Sequence, residues 1–273
     1  MKVFFLNPSF KAKYGRFSRE NRSPTVTRSG TLYYPLWLIY AAAVCEKDGF
    51  EVEFLDAPAR PMTHKQQYSY IADHARGTKL FVVNTSTPSI VNDTACADHL
   101  KKMYPDAFVM LVGTHPSALP DETLANSRLI DAVARHEYDY IVRDVARALR
   151  DNSDPFSVLG LTYRKDGIIS SNPDMPYITE IDEIPFMSEF VRKHLNYKDY
   201  FFAAAKYPEI QMFTGRGCMA RCNFCVYPQT MHGHQYRMRS PENVIAELEY
   251  IAHTFPDVRE IVFEDDTFTM KKD

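Results

Sequence analysis

The chain lacks any apolar run long enough to cross a bilayer. The longest, residues 36–44, falls far short of the ~20 residues that a spanning helix needs. No secretory segment precedes it, so a cytoplasmic location is expected. Net charge is equally scarce. The 32 Lys and Arg against 35 Asp and Glu leave −3 at pH 7, which gives no electrostatic case for nucleic acid. The 5 cysteines are an odd number without a secretory context, which argues against a disulfide framework and for a reducing compartment. No G-x-G-x-x-G follows the first strand-like run, so a dinucleotide is not indicated. A basic cluster, Lys11, Lys13, Arg16, Arg19, Arg22 and Arg28, lies in the long loop 8–33. It reads as a solvated loop, with an anionic substrate or partner as the alternative.

What the sequence does contain is a cysteine triplet, Cys218-Met-Ala-Arg-Cys222-Asn-Phe-Cys225. This C-x3-C-x2-C spacing puts three soft thiolates on one short loop, enough for three corners of a cubic iron–sulfur cluster with the fourth iron left open. A structural zinc site would draw its fourth ligand from His232 or His234, but zinc ligands usually come in two separated pairs.

The surroundings read as a βα unit. Ser240-Pro241-Glu242 supplies an N-cap, a proline at the first helical position and an acid in the first turn, and Val244, Leu248, Ile251, Ala252 and Phe255 recur at helical spacing. Residues 260–268 then form a short β-rich run interrupted by Glu264, Asp265 and Asp266. Alone, those acids read as a solvated turn or a helix start. In a parallel barrel they would occupy the functional C-terminal end of a strand.

The first half has a different rhythm. Strand-like runs at 2–7, 51–56, 80–84, 108–113 and 130–134 alternate with helical patterns in the 36–48 region, with Gly49 as the stop, and at 68–74, 90–104 and 138–149. Several runs are nearly all apolar, as in strands covered on both faces. The expected fold class is therefore α/β, beginning with a Rossmann-like doubly wound parallel sheet that binds ligands beyond the carboxyl ends of its strands. Thr85-Ser-Thr-Pro-Ser89 and Gly113-Thr-His115 would lie in the loops there, where small residues permit close backbone approach to a polar ligand.

On the cysteine loop and its flanking strand, the chain resembles the radical S-adenosylmethionine (SAM) enzymes. Over the first half it is similar to the cobalamin (B12)-binding domain that precedes the barrel in one large family of them, which includes methyltransferases and anaerobic porphyrin-ring cyclases. The resemblance implies that Cys218, Cys222 and Cys225 ligate a [4Fe-4S] cluster whose fourth iron binds SAM. It also implies that Phe224 packs beside the adenine, and that one of Glu264, Asp265 and Asp266 accepts from the SAM amino group. Pro35, Thr85, Ser86, Thr87, Gly113, His115 and Glu137 would line the cobalamin site. An electron from a donor such as flavodoxin or ferredoxin would cleave SAM to methionine and a 5′-deoxyadenosyl radical that acts on a small-molecule substrate.

Two departures stand out. The loop after the fifth strand often reads G-E-x-E in relatives and is His136-Glu-Tyr-Asp139 here, and no D-x-H-x2-G occurs, so a cobalt-ligating histidine from that motif is not expected. His115 reads as a loop hydrogen-bonding group.

The expected organisation is a cobalamin-binding domain at 1–150 and a linker at 151–208, with a β-hairpin turning at Asp166-Gly167 and aromatics (Tyr197, Tyr200, Phe201, Phe202) that read as core packing. The start of a radical SAM domain follows at 209–273. Those 65 residues hold two strands where a closed barrel needs roughly 200 residues, so the sequence reads as the N-terminal part of a longer enzyme. The runner-up is a non-catalytic Rossmann-like module with an iron–sulfur or zinc knuckle.

Overall fold

The computed structural model describes residues 1–10, 15–19 and 24–269. Lys11, Lys13 and Arg22 of the basic cluster lie outside the described residues.

Five strands, β1 Lys2–Asn7, β2 Glu51–Asp56, β3 Thr78–Thr85, β4 Phe108–Gly113 and β5 Ala132–Ala134, pair in parallel in the order β2-β1-β3-β4-β5. Strand alternation sends their apolar residues to two opposite layers. Val3, Phe5, Leu80, Val82, Met110 and Val112 join one core with α1 (Leu36–Lys47) and α6 (Asp139–Arg150). Phe4, Leu6, Phe81, Val83, Val109 and Leu111 join a second core with α2 (His64–His74) and α3 (Ile90–Met103). The sheet is thus covered on both faces, which accounts for its nearly continuous apolar runs. Helix α1 is buried from Leu36 to Cys45, because the sheet, α6 and α7 (Met187–His194) all pack on it.

Helix α2 starts four residues earlier than its apolar spacing suggested. Thr63 and Gln66 form a reciprocal capping box that fixes the start. The hairpin, β6 Leu161–Lys165 and β7 Ile168–Ser171, turns through Asp166 and Gly167, both at positive φ, as expected of a type I′ turn. It does not stand apart in the connecting segment. Instead β6 pairs antiparallel with β5, so the sheet has seven strands.

Of the linker aromatics, Tyr200 is fully buried, stacked on Tyr34 at 3.9 Å and donating to Asp56 Oδ2 at 2.9 Å. Beyond it, β8 (Glu209–Met212) and β9 (Glu260–Phe263) form a parallel pair joined through α8 (Pro241–Thr254), whose N-cap Ser240 accepts the Asn243 amide. A ladder of Gly215–Arg216 with Arg237–Met238 brackets the cysteine loop at the C-terminal end of β8. The fold is a doubly wound α/β sheet followed by the first βα units of a barrel.

Candidate functional site

The loops after β3 and β4 meet at the carboxyl edge of the sheet. Gly113 has φ +120°, and a Cβ there would lie 2.2 Å from the Thr85 carbonyl oxygen, so only glycine lets the two loops approach this closely. Across the gap His115 Nδ1 lies 3.2 Å from Thr87 Oγ1, and burial lowers the pKa of this imidazole. Thr85 Oγ1 is buried without a hydrogen-bond partner. Ser86 is wholly buried and caps the turn with Ser89, and Pro35 is buried as the N-cap of α1.

One sequence expectation changes here. Arg19, read as part of a solvated basic loop, is buried in this edge and pairs bidentately with Asp93 at 2.6 and 2.8 Å, while donating to Asn7. Arg16 donates to the Asp199 carbonyl oxygen at 2.6 Å, and Arg28 remains exposed. Glu137, expected to line the cobalamin site, is committed to protein partners. Its Oε1 accepts from Arg216 at 2.7 Å, and its Oε2 accepts from Arg237 and the Ile178 amide, each at 2.8 Å. Burial would raise this carboxyl, but the surrounding positive charge of Arg216 and Arg237 overcomes it and holds the pKa well below the usual carboxylate range. Asp139 takes the other side of Arg216 at 2.9 and 3.1 Å.

These arginines flank the cysteine loop, so the ion pairs join the sheet to β8. The sequence carried only a faint signal, the alternation Arg237-Met238-Arg239 and, far from it in the chain, an i, i+2 pair of acids, Glu137 and Asp139. In the same segment, Arg239 pairs at 2.5 Å with Glu247, an acid buried on α8.

Gly217 opens the cysteine loop at φ +88°, where a Cβ would lie 2.2 Å from the Gln235 carbonyl oxygen. Cys222 is exposed, Cys218 and Cys225 are half-buried, and all three are free thiols. The Cys225 amide donates to the Cys222 carbonyl at 3.1 Å, and Cys218 Sγ lies 3.5 Å from Thr267 Oγ1. Among the described residues, no three His, Cys, Asp or Glu side chains are gathered around one metal position. Neither histidine considered for zinc joins the thiols. His234 Nδ1 lies 3.2 Å from the Cys218 carbonyl, and His232 packs between Trp37 and Phe213. Phe224 is 85% exposed beside the cysteines.

The three acids after β9 separate. Asp265 Oδ1 accepts the Thr214 and Gly215 amides at 2.7 and 3.2 Å, its Oδ2 meets the Thr214 hydroxyl, and burial pushes its pKa up. It therefore closes the end of β8. Glu264 continues the ladder through its amide, bonded to Met212 O at 2.9 Å, and Asp266 stands 3.9 Å from His232 Nδ1. No described helix is long and apolar enough to cross a membrane.

Residues 22–152 match the model of the B12 binding domain family. The chain is 31% identical over 248 residues to an uncharacterized methyltransferase of Pyrococcus horikoshii, covering 89% of this chain and 51% of that one. It is 25% identical over 259 residues to the anaerobic magnesium-protoporphyrin IX monomethyl ester cyclase of Rubrivivax gelatinosus, covering 92% and 42%. In structure it superposes on the radical SAM methyltransferase TsrM of Kitasatospora setae with a TM-score of 0.69 at 18% identity, covering 98% of this chain and 48% of TsrM. The chain spans about half the length of the curated relatives it matches. With a B12 binding domain over 22–152 and a C-x3-C-x2-C loop at the end of β8, the chain belongs to the family of cobalamin-binding-domain-containing radical SAM proteins.

Proposed function

We propose that this chain carries the cobalamin and cluster platforms of a cobalamin-dependent radical SAM enzyme of methyltransferase or anaerobic cyclase type. The observation that carries the reading is adjacency. The short helix α4 (Thr114–Ala118), which follows β4 at the sheet's ligand edge, packs on the turn Pro228–His232 that immediately follows the cysteine loop. Two cofactor platforms so joined suit a reaction in which a group held on one side meets a radical made on the other.

The residues fit both groups. Three free thiols, with no fourth ligand beside them among the described residues, suit a [4Fe-4S] cluster with one open iron, and the histidines a zinc knuckle would recruit are engaged elsewhere. The glycine-dependent approach of Gly113 to Thr85 and the unpartnered Thr85 hydroxyl suit a large polar ligand such as cobalamin. Pro35, Ser86, Thr87 and His115 complete that wall, whereas Glu137 serves it indirectly by fixing Arg216. Cys218, Cys222 and Cys225 would hold the cluster, Phe224 would cover the adenine, and one of Glu264, Asp265 and Asp266 would accept from the SAM amino group. When bound, the cluster and SAM supply a 5′-deoxyadenosyl radical. The protein's part is to orient SAM and the substrate. A flavodoxin- or ferredoxin-type donor and a reducing, cytoplasmic setting complete the reading.

Anaerobic reconstitution tests it. About four irons per chain are expected. Cys222→Ala should lose the absorbance near about 400 nm, which Cys45→Ala and Cys96→Ala retain, and hydroxocobalamin should bind in titration. Stoichiometric zinc without iron would overturn the cluster assignment and favour the binding-module reading.

A further inference from the structure

The turn from β5 into α6 carries a side chain that its backbone disfavours. His136 has φ +62°, in the left-handed region where glycine sits at no cost and a residue with a Cβ is strained. Asn152 and Asp166 share that region, and local turns account for them: Asn152 stands just past the end of α6, and Asp166 opens the hairpin turn. His136 lies instead at the carboxyl edge of the sheet, tied to the wall read as the cobalamin site. Its amide donates to Ser117 Oγ at 2.9 Å, and the Ser117 hydroxyl donates to the Gly113 carbonyl at 2.8 Å. The imidazole is not spent on the protein. Among the described residues, Nδ1 is buried without a hydrogen-bond partner, and Nε2 stands 3.7 Å from Asp174 Oδ2, too far for a hydrogen bond. The other oxygen of Asp174 is taken by Arg135 at 2.7 and 3.0 Å. The ring meets Tyr177 edge-on at 6.2 Å. Tyr177 in turn covers Gly233, where a Cβ would fall 2.6 Å from its Cε2, and the Gly233 carbonyl accepts the Cys218 amide at 3.2 Å. His136 therefore stands at the cobalamin end of a line of contacts that reaches the cysteine loop.

We propose that His136 is a further cobalamin-binding residue, its imidazole exchanging a hydrogen bond with one of the amide side chains that rim the corrin. The proposal rests on the reading of the β3 and β4 loops as the cobalamin site. Strained backbone persists only where the surrounding structure over-determines it, and such residues gather at ligand sites. Here Ser117 supplies the constraint. A glycine would relieve the strain but would bring no nitrogen to this edge. With neither ring nitrogen bonded, the imidazole is free to turn about Cβ–Cγ and offer one as acceptor and the other as donor, the two roles that a primary amide matches. Such a bond also removes the cost of leaving a buried ring nitrogen unsatisfied.

The test titrates the purified 273-residue chain with hydroxocobalamin. His136→Gly removes the imidazole and frees the backbone, whereas His136→Leu removes the nitrogens and keeps a side chain against Tyr177. Each is expected to bind about tenfold more weakly, the loss of one hydrogen bond with a buried partner. His136→Asn tolerates left-handed backbone and presents an amide, so it should stay within about threefold of the wild type. After reduction, the EPR signal of bound cob(II)alamin should be the same in the wild type and in His136→Asn, because the imidazole bonds to the rim of the corrin and not to cobalt. Wild-type affinity in His136→Gly or His136→Leu would overturn the proposal. Equal losses in all three variants would do so as well, and so would a cobalt signal that changes when the imidazole is removed. If one of the two removals fails to fold, the other carries the comparison with His136→Asn. A folded wild-type chain that takes up no hydroxocobalamin would overturn the cobalamin reading itself, and this proposal with it.

Discussion

The seven-stranded sheet and the β8–β9 pair are both built around parallel strands joined through helices, and they differ in what covers them. Every residue of β4 is buried, between helices that belong to the same half. In β9 no residue is fully buried, Phe263 and Phe268 stack on each other at 5.0 Å while remaining 37% and 56% exposed, and Ile245 of α8 is 53% exposed. On the α2 and α3 side the first half therefore stands on a core of its own, whereas its α1 core also takes residues of the second half. The second shares that core, through Ile210, Met212 and Phe213, and is then oriented by charge: Arg216 and Arg237 reach back to Glu137 and Asp139. Buried ion pairs add little net stability over apolar packing, but removing one partner leaves an uncompensated charge. In this molecule they fix the geometry between two platforms more than they add to stability.

Breaking that link should have the largest effect. Glu137→Gln leaves two arginines short of a carboxylate in a buried site, and a loss of about 4 kcal/mol is expected. The loss should be local to the junction. Limited proteolysis should cut the 209–269 region first, while the 1–171 core keeps its protection in hydrogen exchange. A uniform loss of protection over the whole chain would mean that the two halves are one cooperative unit.

A smaller effect of opposite sign is expected within the second half. Glu209 on β8 is buried, its Oε2 has no hydrogen-bond partner, and its pKa is raised to about 7, first by burial and then by Glu264 and Glu260, with only Gln211 opposing. A folded-state value above the ordinary carboxylate value means that the folded protein binds the proton more tightly than the unfolded chain does. Stability is then lost as pH rises from the ordinary value to about 7, and the loss levels off above it. The full penalty is about 3 kcal/mol. Glu209→Gln keeps a neutral side chain of the same shape, so it should match the wild type near about pH 5 and exceed it at about pH 8 in urea midpoint. Equal pH dependence in the two proteins would show that Glu209 reaches solvent.

The halves also differ in how far the sequence disclosed them. Nearly continuous apolar runs gave the five parallel strands, Asp166-Gly167 gave the hairpin turn, and Ser240-Pro241 gave the start of α8, because each is a local signal. The attachment of the hairpin to β5, the Arg19–Asp93 pair and the diversion of Glu137 to Arg216 were not legible, since each joins residues far apart in the chain and the residue types are those a ligand loop would also use. The same holds for His232. Its neighbours in sequence suggested a zinc ligand, whereas its neighbours in space are Trp37 and Phe213, which come from two other elements.

The smallest expected effect isolates what glycine supplies to the first half. Gly113 combines a left-handed φ with a blocked Cβ position, so its need is both conformational and steric. Gly49, which follows α1 and turns the chain toward β2, has φ +84° with nothing within 4 Å of where a Cβ would stand. Its need is conformational alone. Gly49→Ala should therefore cost only about 1 kcal/mol, the price of left-handed backbone for an L-residue. A thermal shift of a few degrees, with hydroxocobalamin binding unchanged, is the expected result. A loss of several kcal/mol, or of binding, would mean that the α1–β2 turn moves to accommodate the methyl group, and that the N-terminal half is less rigid there than the burial of α1 indicates.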